Sequence, residues 1–218
     1  PAQRVDLWVD FGFWEPGTEL KMVSLPSAAP DSTQKRTIFS ATIGESDPQP
    51  TSLPDGLSRH ASLEAEQAVN AGSPRMFDLQ MQPGMRWTIN GRQFEMMDVA
   101  RDEKVRLGDV EVWEFANRST GGMGMGRMMD QMNQPHPMHV HGLQFKIIYR
   151  QIEPESESAY RTLREGFIDE GWHDTVLVMP GERVKILMQF EDYSGLYLYH
   201  CHNLEHEDMG MMRNYRIK

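Results

Sequence analysis

From residue 75 to the end of the chain, short runs of alternating apolar and polar residues are cut off by Gly, Pro, Asn or Asp. They read RMFDLQM, RWTINGRQFEM, KVRLGDVEVWEFAN, MHVHGLQFKIIYRQ, DTVLVMPGERVKILMQF and GLYLYHCH. Alternation with period two places the apolar side chains on one face of a strand. No long run of helical period competes with it, and Asn90-Gly91 is a two-residue hairpin signal. Short strands separated by such turns pack as an antiparallel β-sandwich or barrel of Greek-key type. An all-β domain over residues 75–218 is the expectation.

The first 45 residues carry two similar runs, RVDLWVDF and KRTIFSATI. Residues 46–74, with ESDPQPTSLPDG and AGSP, have the composition of a linker, interrupted by a short helix around SLEAEQAV. No internal repeat is present. The opening PAQRVDLWVDFG has no initiator methionine, basic segment or apolar signal core. The reading is that the chain starts inside a β-rich segment and is part of something larger.

Bulk properties narrow the function. A formal net charge of −10 argues against binding a phosphate backbone, so no nucleic-acid partner is expected. No apolar run approaches the ~18 residues of a membrane helix, so no membrane span is expected. A single cysteine excludes an internal disulfide.

That cysteine lies in YHCHNLEHEDMGMM, residues 199–212, and six of the eight histidines fall in this motif and in HPMHVHG. On a strand, His200 and His202 point one way and Cys201 the other. Three consecutive residues can therefore serve two adjacent metal sites. His139 and His141 share a face by the same rule, and meet His200 and His202 if the two strands lie side by side. Around Cys201, the residues His136, His206 and Met211 are available. Two imidazoles, a thiolate and a weak axial thioether make the type 1, or blue-copper, arrangement. Structural zinc favours paired Cys-x₂₋₄-Cys spacing, which is absent.

HPMHVHG and HCHNLEHEDMGMM resemble the third and fourth copper-binding motifs of the multicopper oxidases of the bacterial laccase and cuprous-oxidase type. GWHDTV and INGRQFEM resemble the flanks of the C-terminal cupredoxin domain in that family, and PAQRVDLWVDF a strand of its middle domain. The resemblance implies a cupredoxin-like Greek-key fold. Residues 1–45 would be the end of the middle domain, 46–74 a linker and 75–218 the C-terminal domain. It implies copper as cofactor, with type 1 ligands at His136, Cys201, His206 and Met211. A type 2 ligand is implied at His139, and type 3 ligands at His141, His200 and His202.

The implied reaction takes electrons from phenols, aromatic amines, Cu(I) or Fe(II) at the type 1 copper. They pass through Cys201, His200 and His202 to a trinuclear cluster, where O2 becomes water. Glu207 is implied as proton donor; the alternative is a solvated carboxylate of the EHED loop. Asp174 is either a partner of a ligand histidine or a strand-end cap, and His60 and His173 match no motif. A periplasmic or secreted location is also implied.

The family's trinuclear cluster uses eight histidines, and this chain supplies four. The implied partner is an N-terminal cupredoxin domain, covalently joined or separate, without which no oxygen reduction is expected. The alternative from another class is a stand-alone type 1 electron carrier, which has no use for a histidine on each side of Cys201. Methionine is the compositional outlier, with 17 residues, six of them between Met123 and Met138. The loop 121–134 therefore either holds Cu(I) near Asp130 or covers an apolar pocket.

Overall fold

The computed structural model describes residues 2–27, 34–45, 52, 55–56, 62–84, 86–118, 134–163 and 166–218. The methionine-rich run 119–133 and His60 lie outside them. The chain divides into two units, residues 5–62 and residues 1–4 with 63–218. In the smaller unit, β1 (Glu19–Ser24) and β2 (Arg36–Thr42) form an antiparallel ladder. The run RVDLWVDF is not a strand. Residues 4–10 are irregular, and Phe11–Phe13 form a 3-10 turn capped by Asp10, whose carboxylate accepts from the Gly12 amide at 2.8 Å. Alternation only permits a strand; a ladder needs a partner, and none among the described residues pairs with this run.

The larger unit contains β3 (Arg75–Gln82), β4 (Arg86–Ile89), β5 (Lys104–Val105), β6 (Val110–Asn117), β7 (His136–Val140) and β8 (Phe145–Ile152). A short helix α1 (Glu157–Tyr160) precedes β9 (Thr175–Val178), β10 (Glu182–Gln189) and β11 (Gly195–Cys201). Helix α2 (Leu204–Asp208) and β12 (Met212–Ile217) complete it. One five-stranded sheet has the order β4-β3-β6-β10-β8, and the other β5-β12-β11-β7-β9. The expected all-β sandwich is therefore present, but it is mixed. β3 runs parallel to β6 and β5 parallel to β12, because the chain crosses to the opposite sheet at β5 before returning as β6.

The core lies between the sheets. Phe77, Trp113 and Ile186 from one meet Val140, Tyr199 and Tyr215 from the other. β6 is buried along its whole length, because Leu63 and Ala68 cover Val110 and Val112 on its outer side, together with Leu187 of the neighbouring β10. The covering segment is helical only as a 3-10 turn at Ala65–Gln67; Asn70 then pairs with both the N–H and the C=O of Val112 at 2.8 and 2.9 Å. The Asn90-Gly91 hairpin forms as expected, with φ of +52° and +73°. Only Arg92 continues the pairing, and the rest of INGRQFEM turns away toward β12. Among the described residues no helix is long and apolar enough to cross a membrane.

Candidate metal centre

Strands β7 and β11 lie side by side, with His139 opposite His200 and Met138 opposite Cys201. The alternation of the two strands sorts the candidate ligands onto two faces. His136 and Cys201 point into the sandwich; His139, His141 and His200 point out of it.

On the inner face, Cys201 Sγ lies 3.5 Å from His136 Nδ1 and 3.5 Å from His206 Nδ1, and the two nitrogens are 3.1 Å apart. All three residues are buried. His206 arrives on α2, whose start is tied to β7 because Asn203 Nδ2 donates to the Pro135 carbonyl at 2.9 Å. Trp87 forms a wall, with its ring centroid 3.9 Å from that of His206 and 5.2 Å from that of His136. Met211 is fully buried in the same cluster as Cys201. Its amide donates to the His206 carbonyl at 2.9 Å, and its carbonyl accepts from the Cys201 amide at 3.0 Å. Gly210, at φ +99°, makes the bend that permits both bonds.

Burial sets the protonation of this group. It holds His206 down at about 4 and His136 well below the usual imidazole range, where the neighbouring His206 lowers it further. Both rings are neutral at pH 7. Burial also pushes the Cys201 thiol up to about 12. A triangle with these sides has its centre about 2 Å from each corner, the length of a transition-metal bond to nitrogen or sulfur. A cation there would engage one nitrogen of each imidazole and the sulfur, and would supply the charge that favours the thiolate. The donor set fits copper, or another borderline-soft ion.

On the outer face, His141 Nε2 and His200 Nε2 are 3.1 Å apart, and donor atoms of His139, His141 and His200 all lie within 4.8 Å of one another. His139 Nδ1 lies 2.7 Å from the Asp174 carbonyl and 3.0 Å from Thr175 Oγ1; His200 Nδ1 lies 3.0 Å from the Cys201 carbonyl. A carbonyl only accepts, so both Nδ1 atoms carry the proton and the Nε2 lone pairs are free for a metal. Burial lowers His200, and burial with the neighbouring histidines brings His141 to about 4. His202 stands nearby, its ring centroid 5.3 Å from that of His200 and 5.7 Å from that of His139. Its donor atom is not among the three that converge.

Asp174 reaches His139 mainly through its backbone carbonyl, the side-chain oxygen being 3.9 Å from Nδ1. Burial raises the Asp174 carboxyl, but hydrogen bonds from Arg4 and Thr175 outweigh it and hold the group below its usual range. Glu207 Oε2 lies 3.8 Å from His200 Nδ1. It lines a cleft of about 450 Å³ with Gln93, Phe94, Asp208, Met209 and Met212. His173 is apart from both groups, its Nε2 donating to the Glu170 carbonyl at 3.1 Å. Trp87 and Thr175 are in contact with candidate ligands but belong to no spacing pattern in the sequence.

A family model described as multicopper oxidase matches residues 68–218. A laccase of Bacillus subtilis (strain 168) is 26% identical over 225 residues, 98% of this chain and 41% of that protein. A laccase of Haloferax volcanii is 38% identical over 125 residues, 57% of this chain and 18% of that protein. Among solved structures, a variant of the multicopper oxidase McoA from the hyperthermophile Aquifex aeolicus superposes with a TM-score of 0.74. It is 26% identical and covers 96% of this chain and 43% of that one. The chain thus spans less than half the length of each of these proteins, and its sandwich is cupredoxin-like. The match over residues 68–218, which contain both donor groups, establishes that this chain belongs to the multicopper oxidase family.

Proposed function

We propose that the chain is the C-terminal portion of a copper oxidase. In this reading it carries the electron-accepting centre and half of the oxygen-reducing one. The observation that carries it is the placement of two donor groups on opposite faces of the paired strands β7 and β11, one built on a thiol and the other only on imidazoles. His136, Cys201, His206 and Met211 would hold a type 1 copper. His139 would hold a type 2 copper, and His141, His200 and His202 type 3 copper. Bound copper would supply one-electron redox chemistry at the first group and binding positions for O2 at the second.

The protein's own contribution is placement. Cys201 and His200 are joined by one peptide unit and by the contact between His200 Nδ1 and the Cys201 carbonyl, a short route between the groups. Trp87 and the buried Met211 keep water from the first group. Glu207 would relay protons from solvent, a role supported by its opening to the cleft on one side and its 3.8 Å separation from His200 on the other. Reductants would be phenols, aromatic amines, Cu(I) or Fe(II), and activity would require four further histidines from an N-terminal cupredoxin domain. A periplasmic or secreted location goes with the family reading.

Copper per chain, measured with visible and EPR spectra on the isolated protein, tests this. One copper with an intense blue thiolate band and no oxygen uptake is expected for the chain alone. Four copper ions with oxygen uptake are expected once the N-terminal domain is supplied. A chain that binds one copper and stays inactive with that domain present would instead be an electron carrier.

A further inference from the structure

One segment, residues 93–103, grips the chain on both sides of Met211. Ahead of it, Gln93 Nε2 donates to the Met209 carbonyl at 2.6 Å and the Phe94 amide to the Gly210 carbonyl at 3.1 Å. A side chain at Gly210 would meet Gln93 at 3.0 Å, so the two pieces are in close contact. Beyond Met211, the Arg213 guanidinium donates to Glu103 at 2.7 and 2.8 Å, to Asp98 at 2.7 Å and to the Gln93 carbonyl at 2.8 Å. Asn214 Nδ2 donates to the carbonyls of Glu95 and Asp98, both at 2.9 Å. Glu103 also accepts from Tyr199 Oη at 2.9 Å, two residues before Cys201 in the neighbouring strand.

The side chains of Arg213 and Glu103 are both 1% exposed. A buried ion pair is weak evidence for stability, because desolvation cancels much of its attraction. β12 already has its ladder with β11 to hold it in the sheet. The Met211 backbone is itself tied to His206 and Cys201; what neither those bonds nor the ladder determines is how the 209–210 bend ahead of it and the strand beyond it are braced, and so how closely its side chain approaches the Cys201, His136 and His206 triangle.

We infer that Gln93, Arg213 and Glu103 are positioning residues that set the approach of Met211 to the thiol-centred site and thereby its reduction potential. The inference rests on the reading of Met211 as the fourth, axial donor. The potential of a His₂Cys copper site is tuned by its axial ligand. A looser thioether donates less to the oxidised ion, so loosening the grip raises the potential.

The test compares the copper-loaded protein with its Gln93→Met, Arg213→Lys, Met211→Leu and Arg150→Lys variants by redox titration, visible and EPR spectra, and thermal unfolding. Gln93 is only half buried, and methionine preserves its bulk while removing the donor, so this variant keeps the test open if Arg213→Lys fails to fold. Arg150 is a control in the other sheet, paired with Asp169 and Glu182 and remote from Met211 in the sheet order. The expected result is an upward shift of potential and altered EPR parameters in Gln93→Met and Arg213→Lys, in the direction of Met211→Leu. Arg150→Lys should lower the melting temperature with the potential unchanged. Unchanged potentials in both Gln93→Met and Arg213→Lys beside a shifted Met211→Leu would overturn the positioning role alone. An unchanged potential in Met211→Leu would overturn the axial reading, and the inference with it.

Discussion

His200 and Cys201 are consecutive residues of one strand that serve different donor groups, and the His200 ring folds back so that Nδ1 meets the Cys201 carbonyl at 3.0 Å. The strand pleat separates the groups, and this contact fixes the tautomer that leaves Nε2 free. The Cys201 carbonyl, which belongs to the same residue as the thiol, and the His200 imidazole therefore join the two faces.

Replacing Cys201 with serine should abolish the blue band and remove one copper per chain, while in the protein completed by an N-terminal domain the imidazole group on the other face keeps its metal. Sulfur and oxygen are similar in size, so the fold should survive with a loss of about 1–3 kcal/mol for a hydroxyl in a buried site. Metal analysis and absorption spectra check the first outcome, and denaturant unfolding of the apo protein the second.

Loading the thiol-centred site should release about one proton per copper at pH 7, because metal coordination requires the thiolate. The proton comes from Cys201, held protonated by burial with its pKa near 12, and not from His136 or His206, which burial keeps neutral. Apparent affinity should rise by about tenfold per pH unit between pH 6 and 9, since each unit lowers proton competition tenfold. Calorimetry in buffers of different ionisation enthalpy counts the proton directly. Release of two or more would show that the imidazoles enter the reaction charged.

With the N-terminal domain supplied, Glu207→Gln should slow oxygen uptake by about 100-fold or more at saturating reductant, the scale of a lost proton donor. Copper content and the blue band should not change. Equal turnover in the wild type and the variant would assign the proton route to another group.

Glu103→Leu should destabilise the apo protein by about 3–5 kcal/mol, because it leaves the guanidinium of Arg213 buried without its main counter-charge. Adding Arg213→Met to this variant should restore much of the loss, since removing both charges also removes the desolvation cost. Urea unfolding of the two variants decides it.

Gly142→Ala should cost about 2 kcal/mol or more in stability, combining a left-handed backbone with a steric clash. Gly142 sits at φ +83°, and a Cβ there would lie 2.6 Å from the Tyr197 ring. Because the glycine follows His141 directly, the copper content of the imidazole group should fall as well when the N-terminal domain is supplied.

The sequence by itself determined the all-β class, most strand positions after residue 75, and the division of a His-Cys-His run between two faces. These are local properties: a period of two dictates facing wherever a strand forms. The residues nearest the thiol in sequence also include much of what surrounds it in space, which is why His206 and Met211 were legible. Only the tertiary structure decided that RVDLWVDF stays irregular, that β12 enters beside β5 in parallel, and that Trp87 walls the site. The same holds for residues 93–96, the end of a run that reads as a strand by alternation but instead turns to hold β12. Strand pairing, wall contacts and buried charge networks join residues up to 120 positions apart, as between Gln93 and Arg213, and no local pattern carries that information.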